Sequence, residues 1–217
     1  MQRREFNSLL ALAGLAASPL AMAQADPVEG RQFRRLSPPL PTAAGNKVEV
    51  LEMFMYTCPH CFKFDTPLAQ WAKAHAADVS LRRIAVGANT MTGLTQKMFF
   101  ALQAMGVEEA LHTPVFSAIH VGGADVTSES GVFDLAARLQ VDMGKFKQAY
   151  NSFAVSGKCR QANQLMQDTG IDSVPTLIVG GRFVTSPSMA GTPGASEIID
   201  GQRALQVADA LVKRAKA

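Results

Sequence analysis

The chain of 217 residues predicts an α/β fold in which a strand-and-helix frame is interrupted by an inserted all-helical block. Three observations lead there. A β-rich run, a helical pattern and a second alternating run follow one another between Lys47 and Val86. Helical patterns then succeed each other from Leu94 to Phe153 with no strand among them, and β structure returns at Thr176 around a Gly-Gly turn. The frame is expected over residues 26–90 and 156–217, and the insertion over residues 91–155.

Residues 1–25 read as an export signal. Arg3 and Arg4 make a positive start, Leu9 to Ala17 an apolar stretch, and Ala21-Met22-Ala23 or Ala23-Gln24-Ala25 a small-residue cleavage site. The apolar stretch is too short for a permanent membrane anchor. Arg3-Arg4-Glu5-Phe6 fits the twin-arginine route, and the general secretory route fits equally. Both deliver the mature chain to an oxidising space outside the cytoplasm, where disulfides persist.

From Asp26 to Asn46 the chain is polar and turn-rich, and Ser37-Pro38-Pro39-Leu40-Pro41 leaves room only for a short edge strand at Phe33 to Leu36. Lys47 to Tyr56 is the first long strand, apolar on both faces from Val50 onward, as suits a strand covered on both sides by helices. Pro59 to about Ala76 is helical, with Phe64, Leu68, Trp71 and Ala72 on one face. Val79 to Val86 completes a βαβ unit. Asn89 to Gly93 reads as a loop, and helices follow over Leu94 to Met105, Val107 to Val121, Ser130 to Leu139 and Met143 to Phe153. Helix resumes around Cys159 and stops at Gly170. Thr176 to Val179 and Arg182 to Thr185 flank Gly180-Gly181 as a hairpin. Ser196 to Lys216 is a last amphipathic helix with Ile198, Ile199, Leu205, Val207, Ala208 and Leu211 on its apolar face.

The composition, 47% hydrophobic and 18% charged, is ordinary for a globular protein, and a dispersed net charge of +3 argues against a nucleic-acid partner. Three cysteines are too few for a disulfide scaffold, so the chemistry rests on one tetrapeptide, Cys58-Pro59-His60-Cys61. With Pro59 at the first helical position, Cys58 becomes the N-cap. Its sulfur then faces unpaired N–H groups and the positive helix end, which favour a thiolate, and a protonated His60 adds to this. Cys58 is therefore the expected nucleophile. Cys61, one turn on, lies within disulfide reach on the same face. A couple whose reduced form is stabilised in this way is a strong oxidant as the disulfide. Half a zinc site or a structural disulfide are the alternatives. Against zinc, Cys159, His75, His112 and His120 complete no four-ligand cage.

Two further sites support the pair. Val174-Pro175-Thr176 heads a strand and suits a cis X-Pro bond that would turn the Val174 backbone toward the cysteines as an edge for an extended substrate. Glu52, six residues before Cys58 on the interior face of its strand, would be a carboxyl of raised proton affinity, able to exchange a proton with Cys61, with Arg83 on the adjacent strand as its ion-pair partner. The alternative for Glu52 is a solvated sheet edge. Cys159 is read as a small buried apolar residue, with a regulatory thiol or a second disulfide as the alternatives, and His75, His112 and His120 as surface or core residues without carboxylate or cysteine partners at useful spacing.

A C-x-x-C beside a βαβ unit is a thioredoxin-like signal. Cys58-Pro59-His60-Cys61 at a strand-to-helix junction, Glu52 upstream, the helical insertion and Val174-Pro175-Thr176 together resemble the DsbA family of periplasmic thiol:disulfide oxidants of Gram-negative bacteria. The resemblance implies a thioredoxin-like fold with an inserted helical domain and Val174-Pro175 as the cis-proline loop. It also implies a hydrophobic groove for unfolded exported proteins with free thiols, and a quinone-linked membrane reoxidant of the DsbB type. In it Glu52 matches the family's buried acid, while Arg83 stands where the partner is usually lysine. No cofactor or metal is expected, and the protein is expected to act as a monomer. A disulfide reductase or isomerase of the same fold, and a peptide-binding chaperone with a redox switch, are the competing readings.

Overall fold

The computed structural model describes residues 26–87 and 89–216; the segment read as an export signal lies outside them. The elements are β1 (Arg34–Arg35), β2 (Val48–Phe54), α1 (Pro59–Ala74), β3 (Val79–Ala85), α2 (Thr90–Ala104), α3 (Glu108–His120), α4 (Glu129–Arg138), α5 (Met143–Tyr150), α6 (Phe153–Asp168), β4 (Thr176–Val179), β5 (Phe183–Thr185), α7 (Pro187–Ala190) and α8 (Glu197–Lys216). One sheet runs in the order β1-β5-β4-β2-β3. β2 and β3 are parallel, as a βαβ connection requires, and the other pairs are antiparallel.

Every residue of β2 is buried, and its alternation assigns two cores. Val48 and Val50 pack with Phe64, Leu68 and Trp71 of α1 and with Ala204, Ala208 and Leu211 of α8. Leu51 and Met53 pack with the helical block, among Phe99, Phe116 and Phe146. Apolar burial on both faces of one strand is the main stabilising feature of the frame. Trp71 Nε1 also donates to Asp209 at 2.7 Å, tying α1 to α8.

The hairpin between β4 and β5 turns on Gly180 and Gly181, with φ of +58° and +65°, the left-handed pair a two-residue turn needs. A Cβ at Gly181 would also run into the Leu40 carbonyl.

Three sequence expectations are corrected. Residues 89–93 are not a loop: Asn89 caps α2, its side chain accepting from Thr92 N while the Thr92 hydroxyl accepts from Asn89 N. This reciprocal box starts the helix at Thr90. The fifth helix ends at Tyr150, and α6 begins at Phe153 rather than near Cys159, because Ser152 caps it by accepting from Val155 N. Ile198 and Ile199 are 69% and 43% exposed. The first turn of α8 has not yet reached the core against which Ala204, Leu205, Ala208 and Leu211 pack. The one-turn helix α7, capped by Ser186, adds to the expected elements. Among the described residues no helix is long and apolar enough to cross a membrane.

Candidate functional site

The end of β2 and the start of α1 deliver the cysteines. Cys58 is the N-cap, with extended backbone at φ −85° and ψ 117°, and Pro59 occupies the first helical turn, where its missing N–H costs no hydrogen bond. The Cys61 amide donates to Cys58 Sγ at 3.5 Å. Both cysteines are unbridged; Cys58 is half-buried and Cys61 fully buried. The Val174–Pro175 peptide is cis, and the Val174 carbonyl lies 3.6 Å from Cys58 Sγ, accepting from its thiol.

Two sulfurs one turn apart acquire opposite acidities. The Cys58 thiol is lowered from 9.0 to about 6, first by a hydrogen bond from the Cys61 side chain. The amides of Cys61 and His60 and the charge of His60 act in the same direction, against partial burial. Cys61 is pushed far up, first by burial and then by its hydrogen bond to Cys58 and the charge there. An exposed sulfur that favours the thiolate, beside a buried one that favours the thiol, is an arrangement suited to thiol–disulfide exchange.

His60 is exposed on the α1 surface, with Nδ1 3.1 Å from Glu197 Oε1. Lys63 Nζ holds the other oxygen of Glu197 at 2.7 Å. Beyond this pair, Phe64, Pro67, Val174, Pro187 and Ile198 line an apolar cleft of about 340 Å³, so Ile198, removed from the expected core face, borders the site instead.

Glu52 does not join the exposed group. It is 1% exposed, on β2 opposite Arg83 of β3, with Arg83 Nε 3.2 Å from Glu52 Oε2. The solvated-edge alternative is therefore excluded and the expected ion pair is present. Burial raises its carboxyl from 4.5 to about 7, opposed by Arg83 and reinforced by Asp65 and Glu108. The charge of Glu52 in turn bears on the Cys61 thiol.

The reading of His75 and His112 as lacking carboxylate partners is corrected. His112 is 2% exposed and lies 2.8 Å from Glu108 Oε1 and 3.4 Å from Asp65 Oδ1. His75 Nε2 sits 3.1 Å from Asp209, and His120 Nε2 meets the Tyr56 carbonyl at 2.8 Å while stacking on Phe62. The signal for His112 was present as Glu108 four residues before it on one helix. Asp65, Tyr56 and Glu197 come from other elements, and no local pattern announces them. Cys159 is half-buried rather than fully so, and burial pushes its thiol up to about 11.

Comparison with known proteins agrees with this geometry. Residues 66–206 match the model of the DSBA-like thioredoxin domain family. The chain is 36% identical over 202 residues to the thiol:disulfide interchange protein DsbA of Bordetella parapertussis, covering 92% of this chain and 96% of that protein. It is 31% identical over 217 residues to the protein of that name from Pseudomonas aeruginosa, covering 100% and 98%. Among solved structures, Pseudomonas aeruginosa DsbA superposes with a TM-score of 0.75 at 32% identity, covering 85% of this chain and 92% of that one. The oxidoreductase DsbA of Xylella fastidiosa gives 0.76 at 26% identity, covering 87% and 97%. With the redox tetrapeptide at a helix start, the thioredoxin-like sheet and this likeness over nearly the whole chain, the protein belongs to the DsbA family and is a thiol-disulfide oxidoreductase.

Proposed function

We propose that the protein donates the Cys58–Cys61 disulfide to newly exported proteins in the periplasm, through a mixed disulfide at Cys58. The observation that carries this reading is the opposed acidity of the two sulfurs. A substrate thiolate attacks Cys58 Sγ, the S–S bond breaks, and its electron pair leaves on Cys61. That buried sulfur takes a proton from Glu52, whose carboxyl at about 7 holds one to give near neutral pH. A second substrate thiolate attacks the substrate sulfur of the mixed disulfide, and Cys58 departs as a stabilised thiolate. Two substrate thiols have then lost two electrons, which rest on the Cys58–Cys61 dithiol.

Pro59 sets the helix entry that makes Cys58 its cap, and His60 tunes the thiolate. Val174, with Pro175, offers its backbone to an extended substrate beside Cys58. The apolar cleft takes the flanking side chains of that substrate. The dithiol returns to the disulfide through a quinone-linked membrane partner of the DsbB type. The sequence of residues 1–25, read as an export signal, supports the periplasmic assignment.

Ultraviolet titration of the Cys58 thiolate, with equilibration of the pair against glutathione, tests the reading. A midpoint near 6 and a strongly oxidising equilibrium are expected. A midpoint near the ordinary thiol value of about 8.5, with a disulfide that only a large excess of reduced glutathione can open, would overturn it in favour of a reductase.

A further inference from the structure

Behind the cysteines lies a buried chain of charged groups that the exchange reaction does not by itself require. Arg83 spans two carboxylates, its Nε 3.2 Å from Glu52 and its Nη2 3.5 Å from Asp65 Oδ1. Asp65 is 1% exposed and has two other neighbours on α3. Thr113 Oγ1 donates to its Oδ2 at 2.6 Å, and His112 Nε2 stands 3.4 Å from the same Oδ1 that faces Arg83. The other ring nitrogen of His112 lies 2.8 Å from Glu108 Oε1 and 3.1 Å from the Tyr56 hydroxyl. The contacts to Asp65 and Glu108 are close but not aligned as hydrogen bonds, so their attraction is electrostatic.

The arrangement poses a competition. Arg83 cannot lose its proton and is the only cation in contact with Glu52 among the described residues. Asp65 pulls on the same guanidinium. The imidazole edge of His112 at Asp65 Oδ1 and the Thr113 hydroxyl at Oδ2 weaken that pull, because a carboxylate already held by other groups attracts a cation less. Glu52 is faced by Arg83 from β3, by Asp65 and Cys61 from α1, by Glu108 from α3 with His112 behind Asp65, and by Tyr56 just past its own strand.

We infer that His112 is a positioning residue: by occupying Asp65 it keeps Arg83 on Glu52. The inference rests on the reading of Glu52 as proton carrier for Cys61. In this way the helical block, through α3, reaches the redox site without touching substrate. Loss of His112 frees Asp65 to draw Arg83 away, and Glu52 then holds its proton to higher pH.

The test is a carbon-13 NMR titration of the Glu52 carboxyl in the oxidised full-length protein. His112→Phe keeps an aromatic ring against Phe54, Tyr56 and Phe116 and removes both nitrogens. It is expected to raise the Glu52 midpoint by roughly half a unit to one unit. Arg83→Met is expected to raise it further, and the double variant to match Arg83→Met alone. An unchanged midpoint in His112→Phe, or a full extra shift in the Arg83→Met background, would overturn the inference. Thr113→Val, which strips Asp65 of its hydroxyl, is a milder probe that tolerates failure of the Phe variant to fold. It should move the midpoint the same way, and a null or opposite shift refutes the competition. Because the carboxyl is read directly, these shifts stand apart from Glu52→Gln kinetics, which test the proton-carrier reading itself.

Discussion

Two histidine-centred charge groups flank the cysteine pair, built from the same residue types in opposite surroundings. At the mouth, His60, Glu197 and Lys63 lie in water, with side chains 45–60% exposed. Behind, His112, Asp65 and Glu52 are at most 2% exposed, with Arg83 at 13%. Contact distances are similar, near 3 Å in both. Screening by solvent makes the outer group a fine adjustment, whereas removing one partner of the inner group strands a charge in low dielectric. The cysteines divide along the same line, Cys58 facing the outer group and Cys61 the inner one, and their acidities diverge accordingly.

The sharpest break is at Cys61, the point where the two sides meet. Cys61→Ala is expected to abolish turnover and, when its Cys58 thiolate attacks a substrate that already carries a disulfide, to leave that substrate trapped on Cys58 with no second thiol to release it, readable as a covalent adduct on a non-reducing gel. It also removes the largest cause of the lowered Cys58 thiol, so the thiolate midpoint should climb from about 6 toward 9.0. A midpoint that stays near 6 would mean the helix end alone suffices. The sign for stability follows from the depressed value. The thiolate contributes to the stability of the reduced protein fully above about 9.0 and loses that contribution as pH falls through about 6. Reduced protein should therefore melt above the oxidised form at pH 8, with the part of the gap due to the thiolate shrinking as pH falls and gone below about 6.

Next in size is Glu52→Gln. Slowing of Cys61 departure by about a hundredfold, at the low end of general acid–base effects, is expected in stopped-flow mixing with a dithiol peptide. The raised carboxyl also acts on stability. The folded protein holds an extra proton between 4.5 and about 7, so stability is highest below that window and falls as pH rises through it. The full penalty is on the order of 3 kcal/mol above pH 8, and Gln should abolish it. Denaturant unfolding at pH 4 and pH 8 checks this: the variant gains on wild type only at the higher pH.

The difference between the two groups also explains what was legible in the sequence. Local patterns are visible in a chain, so the N-cap cysteine, the βαβ unit, the Gly180-Gly181 turn and the interior parity of Glu52 could all be read directly. The pairing of Glu52 with Arg83 was legible too, because adjacent parallel strands in register bring them together. The rest of the inner group was not. Asp65 lies on α1 and His112 on α3, and only packing of α3 against α1 makes them neighbours. Glu197 escaped for the same reason, its partner His60 being far off in sequence. Ile198 and Ile199 misled because periodicity marks an apolar stripe without showing where the covering layer ends; that turn of α8 borders the cleft beside the cysteines.

At the outer group the effects should be smaller. His60→Leu removes a charge that ranks below the hydrogen bonds among the causes acting on Cys58. A rise of roughly half a unit in the thiolate midpoint is expected, with a modestly less oxidising pair.

Glu197→Gln should be smaller still and of the opposite sign. The carboxylate lies against His60 and Lys63, where it offsets positive charge near Cys58. Its neutral replacement leaves those cations less compensated and should lower the thiolate midpoint slightly. Because all three groups face water, the shift should disappear in about 1 M salt, where charges are screened beyond roughly 3 Å. The Glu52 midpoint, screened far less by its burial, should keep its value there. A salt-insensitive Glu197→Gln shift, or a salt-sensitive Glu52 midpoint, would mean that burial does not separate the two groups.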